Sequence, residues 1–372
     1  LGRPGVRLRT WSYEALDGGF GRFAGVLGIY RFQGTATADG GTEGEVLPWS
    51  LVLKVQGCVP QSEGSPDPAA WAYWEREALA YGSGLLAELP PGISAPRCLC
   101  CEEVDGAAGS EAWLWLEFVP EGRERMWPLE QFALAARDLG RFNGAYLVGR
   151  ALPNQPWLTG PEQAKETLAL IEPCFADLPA WCTLPDAQRV MPSATVASMQ
   201  GVWAQRQLLL AALADLPRCF CHKDAIRRNL LARRAADGSW ETVAIDWAYA
   251  GVDAVGEDPG ELLMISLAHL EAPVAQAETL YSMIFDSYLA GLQEVGWRGD
   301  PEQARLGYTI AAAVAGMRQC GRDLFGINDR MPDEAVEKLF GHPIGTVLDQ
   351  HAGVFRYAAE LGHSGLAMIS RR

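Results

Sequence analysis

The chain has 372 residues, of which 49% are hydrophobic, and its formal net charge is −15. That length predicts two lobes or domains with a sizeable core. The sequence has no run of about 18 apolar residues, so a membrane span is not expected. A chain this acidic is also a poor partner for nucleic acid, which needs a basic patch. The first residues lack the apolar core of a signal peptide, and the cysteine count of nine is odd, so we expect a cytoplasmic protein with buried free thiols.

The first third of the chain has the pattern of a β-sheet. Residues 6–56 read as an antiparallel meander, because apolar segments alternate with glycine-rich turns. Residues 71–91 have the apolar spacing of a helix, weakened by Gly82 and Gly84 and ended by two prolines. Residues 111–122 form a short apolar strand that ends in Pro-Glu-Gly.

The composition changes after that strand. From about residue 123 the apolar spacing is mostly helical, apart from a strand pair formed by "NLLARR" and "ETVAIDW". These patterns predict an α+β protein with a small antiparallel-β lobe, residues 1–116, a hinge, 117–122, and a larger, mostly helical lobe, 123–372.

Four features that could carry chemistry follow one another in a fixed order. They are a glycine-rich hairpin, a lysine in the apolar strand "LVLKV", a helical glutamate, and the segments "HKDAIRRN" and "AIDW". Each has an ordinary structural explanation, since glycines make turns, strand lysines extend to solvent and aspartates cap helices. Together they suit phosphoryl transfer, because glycine backbone and lysine can approach phosphate oxygens and Mg²⁺ takes one or two carboxylates from a protein.

The same order resembles the protein-kinase-like phosphotransferases, whose catalytic loop has the D-x-x-x-x-N spacing of Asp224 and Asn229. More narrowly, the chain resembles the aminoglycoside phosphotransferase and choline kinase family. "AIDW" fits that family's metal aspartate, "GEDPGEL" at 256–262 is close to its next motif, and the D-F-G and A-P-E landmarks of protein kinases are missing here. The resemblance implies a bilobal protein-kinase-like fold and an enzyme that transfers the γ-phosphoryl group of ATP, or GTP, to a hydroxyl.

The resemblance also implies residue roles. Asp224 would be the catalytic base, and Asn229 and Asp246 would bind Mg²⁺. His222 would shape the loop. The nucleotide would be bound by residues of the first lobe and hinge, namely Gly19, Gly21, Lys54, Glu77, Glu117 and Val119.

The sequence departs from the family pattern at several positions. Lys223 replaces a glycine, Ile226 stands where a polar residue is usual, and Asn143 stands where histidine is common. These changes leave open a nucleotide-binding member without turnover, and a protein kinase or an unrelated structural protein is the third reading. Arg227 and Arg228 could contact the transferred phosphoryl group, or point to solvent and pair with carboxylates.

The acceptor is expected to be a small molecule, since the family's acceptor pocket draws on an insertion like the helical residues 150–216. The acidic charge would favour a cationic acceptor, such as an aminoglycoside or an amino alcohol, although it could serve solubility alone. Asp253, Glu257 and Asp258 could bind its ammonium groups, but Asp258 with Pro259 could instead cap the next helix. No nucleic-acid or membrane partner is expected, and the sequence does not predict the oligomeric state.

Overall fold

A computed structural model describes residues 6–16, 25–38, 46–58, 64–106, 109–120, 126–234 and 238–372. The chain divides into two compact units, Leu1–Glu88 with Ala95–Pro120 and Leu89–Ser94 with Glu121–Arg372. The strands are β1 (Val6–Ala15), β2 (Val26–Ala38), β3 (Val46–Gly57), β4 (Ile93–Ser94), β5 (Cys98–Gly106), β6 (Gly109–Glu117), β7 (Arg218–Cys221), β8 (Leu230–Arg234), β9 (Trp240–Ala244) and β10 (Gly251–Ala254). The helices are α1 (Arg76–Gly82), α2 (Leu129–Leu147), α3 (Glu162–Ala176), α4 (Leu178–Trp181), α5 (Pro185–Val190), α6 (Ser193–Ala204), α7 (Arg206–Ala214), α8 (Glu257–Ala268), α9 (Ala277–Glu294), α10 (Pro301–Asn328), α11 (Asp333–Phe340) and α12 (Ile344–Ile369).

The first unit is built on a five-stranded antiparallel sheet in the order β1-β2-β3-β6-β5. The central strand β3 alternates in the way a strand between two neighbours requires, with Leu53 and Val55 on one face and Lys54 and Gln56 on the other. Helix α1 packs against β5 and β6, and its buried Glu77 contacts the face that carries Lys54. The β-meander predicted for residues 6–56 is confirmed.

The second unit is mainly helical. Its long helix α10 packs against α8, α12 and α3, while α2 packs along α9. The α2–α9 contact depends on two glycines, because a Cβ at Gly140 would lie 2.2 Å from the Tyr288 carbonyl oxygen and one at Gly291 would lie 2.0 Å from the Arg137 carbonyl oxygen. This close approach brings Asn143 of α2 and Tyr288 of α9 within hydrogen-bond distance, at 2.9 Å.

The second unit also contains short strands, and the segments that carry Asp224 and Asp246 follow directly after β7 and β9. β7 pairs with β10 in an antiparallel ladder, and β9 lies between β8 and the parallel β4. The predicted pair "NLLARR" and "ETVAIDW" is therefore present as β8 and β9. The insertion at 150–216 is helical as predicted, carrying α3 to α7.

The α+β fold class is confirmed, with an antiparallel sheet first and a larger helical part after it. One predicted helix is shorter than expected: within 71–91, α1 covers only Arg76–Gly82, followed by one 3₁₀ turn at Leu85–Glu88. Gly84 explains the break, since its φ of +79° lies in the left-handed region that ends a helix.

All nine cysteines are free, but the expectation that they are buried holds for only part of them. Cys100 and Cys101 are exposed and Cys58 and Cys98 are half-buried, while the remaining five are buried. Within the described residues, no helix has both the length and the apolar composition needed to cross a bilayer.

Candidate active site

Lys54 and Glu77 form a buried ion pair in the first unit. The Nζ of Lys54 lies 2.6 Å from Oε2 of Glu77, and the Gln56 amide donates to the same oxygen at 3.2 Å. Lys54 is 5% exposed and Glu77 is 1% exposed. Because charges this deeply buried are tolerated only when compensated, each group fixes the position of the other.

The other residues predicted to bind nucleotide are less completely defined. Gly19 and Gly21 lie outside the described residues. Glu117 ends β6, where its backbone N–H donates to the Arg97 carbonyl at 2.9 Å and its carboxylate accepts from the Arg97 N–H at 3.2 Å. Val119 follows it and is buried. Because the Glu117 N–H already donates to the Arg97 carbonyl, it cannot also donate to a purine.

The segment between β7 and β8 brings Asp224 and Asn229 together. The Asn229 amide nitrogen donates to Oδ2 of Asp224 at 2.8 Å and to the Asp224 carbonyl at 3.0 Å. Both partners are acceptors, so the nitrogen must face Asp224 and the amide oxygen must point elsewhere. The arrangement fixes the Asp224 carboxylate and directs the Asn229 oxygen away from it.

His222 shapes this loop from a fully buried position. Its Nε2 bonds to the Ile245 carbonyl at 2.9 Å, and its Nδ1 accepts from the Asp224 backbone N–H at 3.3 Å. These bonds require the tautomer with the proton on Nε2, because the carbonyl can only accept. The ring packs on Trp247 at a centroid distance of 4.5 Å. The histidine therefore joins the loop to the segment that carries Asp246.

Asp246 follows β9 in a left-handed backbone conformation, with φ of +63°. The neighbouring Ile245 N–H donates to the Asn229 carbonyl at 2.9 Å, which ties the two segments together. Few non-glycine residues adopt this conformation, and those that do cluster at functional sites.

The surroundings of Asp224 disfavour its charged form. Burial raises the pKa of Asp224 to about 7, with further increases from the nearby carboxylates of Asp246 and Glu261. Arg318 and Arg322 of α10 oppose that increase. A carboxyl with a pKa near neutrality can accept a proton and release it again at physiological pH.

Asp258, the second residue of α8, organises the loop. Its carboxylate accepts from the backbone N–H groups of His222 at 3.2 Å and Lys223 at 2.9 Å, and from the Asn143 amide at 3.0 Å. It is fully buried, and it makes no capping bond to its own helix. The carboxylate therefore neither caps α8 nor faces an acceptor, the two roles considered from the sequence. The sequence feature that could have indicated this role of Asp258 was Asn143, which stands where the family commonly has histidine and which bonds to the Asp258 carboxylate.

The two arginines of the loop pack within the second unit. Arg228 donates from Nε to Glu271 at 2.6 Å, so it pairs with a carboxylate as the simpler reading expected. Arg227 is buried with its guanidinium 5.5 Å from the centroid of the Trp127 ring.

The donor atoms near Asp224 fit a magnesium ion. Asp246 offers a carboxylate and Asn229 an amide oxygen, and Mg²⁺ commonly takes one or two protein oxygens and completes its shell with water and phosphate. In the part of the chain that the structure describes, no group of three or more His, Cys, Asp or Glu side chains is arranged to hold a metal. A sparse oxygen site suits Mg²⁺ better than it suits zinc, which prefers four nitrogen and sulfur ligands.

Known proteins resemble this chain in sequence profile and in fold. The profile of the APH phosphotransferase enzyme family matches residues 75–298, and no curated protein matches the sequence significantly. The chain is similar to a microcompartment-associated aminopropanol kinase, with 14% identity, coverage of 97% of this chain and 94% of that one, and a TM-score of 0.54. That likeness confirms the protein-kinase-like fold.

Two further solved structures match with lower TM-scores. A choline kinase from Cryptosporidium parvum is 10% identical, with coverage of 97% of this chain and 89% of that one and a TM-score of 0.47. An amicoumacin kinase in complex with AMP-PNP, Ca²⁺ and Ami is 16% identical, with coverage of 89% of this chain and 90% of that one and a TM-score of 0.47.

Proposed function

Because the chain belongs to the APH phosphotransferase enzyme family, we propose that it transfers the γ-phosphoryl group of ATP to a hydroxyl of a small, amine-bearing acceptor. The observation that carries the proposal is the pair of hydrogen bonds that fix Asp224 to Asn229, on a loop joined through His222 to the segment of Asp246. GTP would serve equally well as far as these contacts are concerned.

Asp224 is the proposed catalytic base. The acceptor oxygen attacks the γ-phosphorus, its proton passes to the Asp224 carboxylate, and the bond from that phosphorus to the bridging oxygen breaks to release ADP. Phosphoryl transfer has a loose transition state, so catalysis relies on positioning and on stabilising charge. The Asn229 amide supplies positioning by fixing the carboxylate, and the pKa of Asp224, about 7, lets the carboxyl return its proton to water.

The proposed cation site consists of Asp246 and the amide oxygen of Asn229. Mg²⁺ bound there would neutralise negative charge on the phosphates. The bond from Ile245 N–H to the Asn229 carbonyl supports this choice of ligands, because it holds the segment that carries Asp246 against Asn229.

Lys54 is the proposed cation for the nucleotide phosphates, oriented by Glu77. Gly19 and Gly21 would present backbone N–H groups to the same phosphates. The purine is proposed to bind along Glu117 and Val119, where the engaged Glu117 N–H leaves donation to Val119.

The amine of the acceptor is proposed to bind at Glu257. Of the three acidic residues expected to serve, Asp258 is occupied by N–H donors and Asp253 is paired with Lys223 and Arg218. Glu257 is 7% exposed, and burial with the nearby Asp253 raises its pKa to about 8. An ammonium beside it would favour the charged form and form an ion pair.

The test is release of ADP from Mg²⁺-ATP in the presence of hydroxylated amines, compared between wild type and Asp224→Asn. We expect acceptor-dependent release that the variant loses. If the protein binds ATP yet no acceptor raises ADP release above background, the reading as a nucleotide-binding protein without turnover replaces this one.

A further inference from the structure

An ammonium group already occupies an acidic site, and it belongs to Lys223, the residue that precedes the proposed base in the chain. The Nζ of Lys223 bonds to the carboxylate of Asp253 on β10 and donates to the Gly160 carbonyl at 2.9 Å. Lys223 is 5% exposed and Asp253 is 3% exposed. A carboxylate and a carbonyl around one buried ammonium are the ligands that would bind a primary amine from outside.

The backbone conformation of Lys223 is one that residues with a side chain seldom adopt. Lys223 has φ of +64°, in the left-handed region that favours glycine. Its N–H is fixed by Asp258 at 2.9 Å, so the loop imposes the conformation. A strained backbone conformation persists when the surrounding structure holds it. Glycine would adopt this conformation more easily, but only lysine makes the side-chain contacts with Asp253 and Gly160.

The surrounding charges are coupled to this ammonium and to Asp224. Burial and Asp253 raise the pKa of Glu257, and Lys223 lowers it. Glu261, on the same helix as Glu257, pairs with Arg318 of α10. Glu261 raises the pKa of Asp224, and Arg318 lowers it. Removing the Lys223 charge would therefore take a compensating charge away from the buried carboxylates of Asp253 and Glu257.

We propose that Lys223 determines acceptor specificity by filling, with its own ammonium, the position at which a second amine of an acceptor would bind. The chain then accepts a hydroxyl compound with one amine and disfavours one with two or more. This inference rests on the proposed function, because it assumes that the acceptor lies beside Asp224. It selects within the amine-bearing class through one residue of this chain.

The experiment compares three matched probes that differ in amine number: glycerol, 3-amino-1,2-propanediol and 1,3-diamino-2-propanol. Each is titrated into the full chain by calorimetry with Mg²⁺ and a non-hydrolysable ATP analogue, and phosphoryl transfer to each is measured with ATP. Lys223→Gly empties the site and relieves the backbone, and Lys223→Ala empties it while keeping a side chain. Lys223→Met is the matched control, because it fills the space without charge.

We expect wild type to prefer the monoamine, and the emptied variants to raise the affinity for the diamine relative to the monoamine by about tenfold. Lys223→Met should give no such gain. The proposal is wrong if the diamine-to-monoamine ratio of the folded Gly and Ala variants equals that of wild type, or if Lys223→Met gives the same gain.

The results distinguish failure of the proposed function from failure of the proposed role of Lys223. Absence of transfer to all three probes by wild type, with binding ratios that change as expected, counts against the proposed function alone. Transfer by wild type with ratios indifferent to Lys223 counts against the specificity role alone. Absence of binding by every probe to every variant counts against both.

Discussion

The side-chain amide of Asn229 donates to the Asp224 carboxylate at 2.8 Å and to the Asp224 carbonyl at 3.0 Å. One amide group therefore orients the proposed base with its nitrogen, and its oxygen is the proposed cation ligand. The two proposed tasks, proton acceptance and cation binding, depend on the same side chain, so they should respond together to its replacement.

Replacement of Asn229 tests that coupling. Asn229→Ala should lower kcat by roughly 10²-fold or more, because the base loses its support, and should also raise the Mg²⁺ concentration needed for half-maximal rate. Asn229→Asp keeps an oxygen ligand but sets a second carboxylate against Asp224, so its kcat should fall while its Mg²⁺ requirement changes less. Steady-state rates across a Mg²⁺ titration measure both. Equal Mg²⁺ requirements in wild type and Asn229→Ala would remove Asn229 from the cation site.

Lys54 is expected to matter for nucleotide affinity. Lys54→Ala should weaken ATP binding at least tenfold, about 1.4 kcal/mol, because a buried cation facing phosphate is lost. It should also lower the melting temperature, since the buried Glu77 carboxylate would lose its cationic partner. The double variant Lys54→Ala/Glu77→Ala is the control: it should regain stability without regaining affinity. Calorimetric ATP titration and thermal melts separate the two effects, and ATP affinity unchanged in Lys54→Ala would exclude it from the site.

Asp258 is expected to act as a positioning residue. Asp258→Asn replaces one of the two acceptor oxygens by a donor, which then faces the N–H group of either His222 or Lys223 and should cost about 1–3 kcal/mol of stability. The loop should then be misplaced, so kcat should fall about tenfold or more while ATP affinity stays near that of wild type. Asp329→Asn, at an exposed position, is the control for a charge removed from the same unit. A variant with normal kcat at a temperature where it is fully folded would contradict this role.

Stability should decline as pH rises. Burial raises the pKa of Asp138 and Asp258 to about 6, of Asp224 to about 7 and of Glu257 to about 8. Since unfolded carboxyls titrate near pH 4, the folded chain retains protons that the unfolded chain has released. Their contribution to stability is complete below about pH 4 and is lost as pH rises through 6 to 8.

Thermal melts between pH 5 and 8, without divalent cation, measure this loss. We expect the melting temperature to fall across that range and Glu257→Gln to flatten the fall above pH 7. Glu302→Gln, whose side chain is 66% exposed, should leave the slope unchanged. A melting temperature that rises with pH would contradict the assignment.

The sequence was most informative where local patterns decide structure. Apolar segments separated by glycine-rich turns predicted β1 to β3, and the position of Lys54 inside β3 follows from the same pattern. The spacing of Asp224 and Asn229 fixes their meeting, because a short loop ending in a 3₁₀ turn brings the two side chains together.

Long-range contacts were beyond local patterns. Asp258 reaches the loop across 36 residues of chain, and Asn143 reaches Asp258 across 115, so no spacing rule relates them. The left-handed backbone of Asp246 was equally hidden, since an aspartate does not predict it. The exposure of Cys100 and Cys101 was missed because they lie on β5, at the edge of the sheet, where side chains meet solvent.

Asp224 is the residue on which the proposed transfer depends most, and Asp224→Asn tests its role as the base most directly. Asparagine keeps the size of the side chain and an oxygen for the Asn229 amide, so the fold and the nucleotide site should be preserved. We predict a melting temperature and an ATP affinity near those of wild type, with kcat for phosphoryl transfer lower by roughly 10²-fold or more. Transfer to the acceptor at the full wild-type rate by Asp224→Asn would contradict the account.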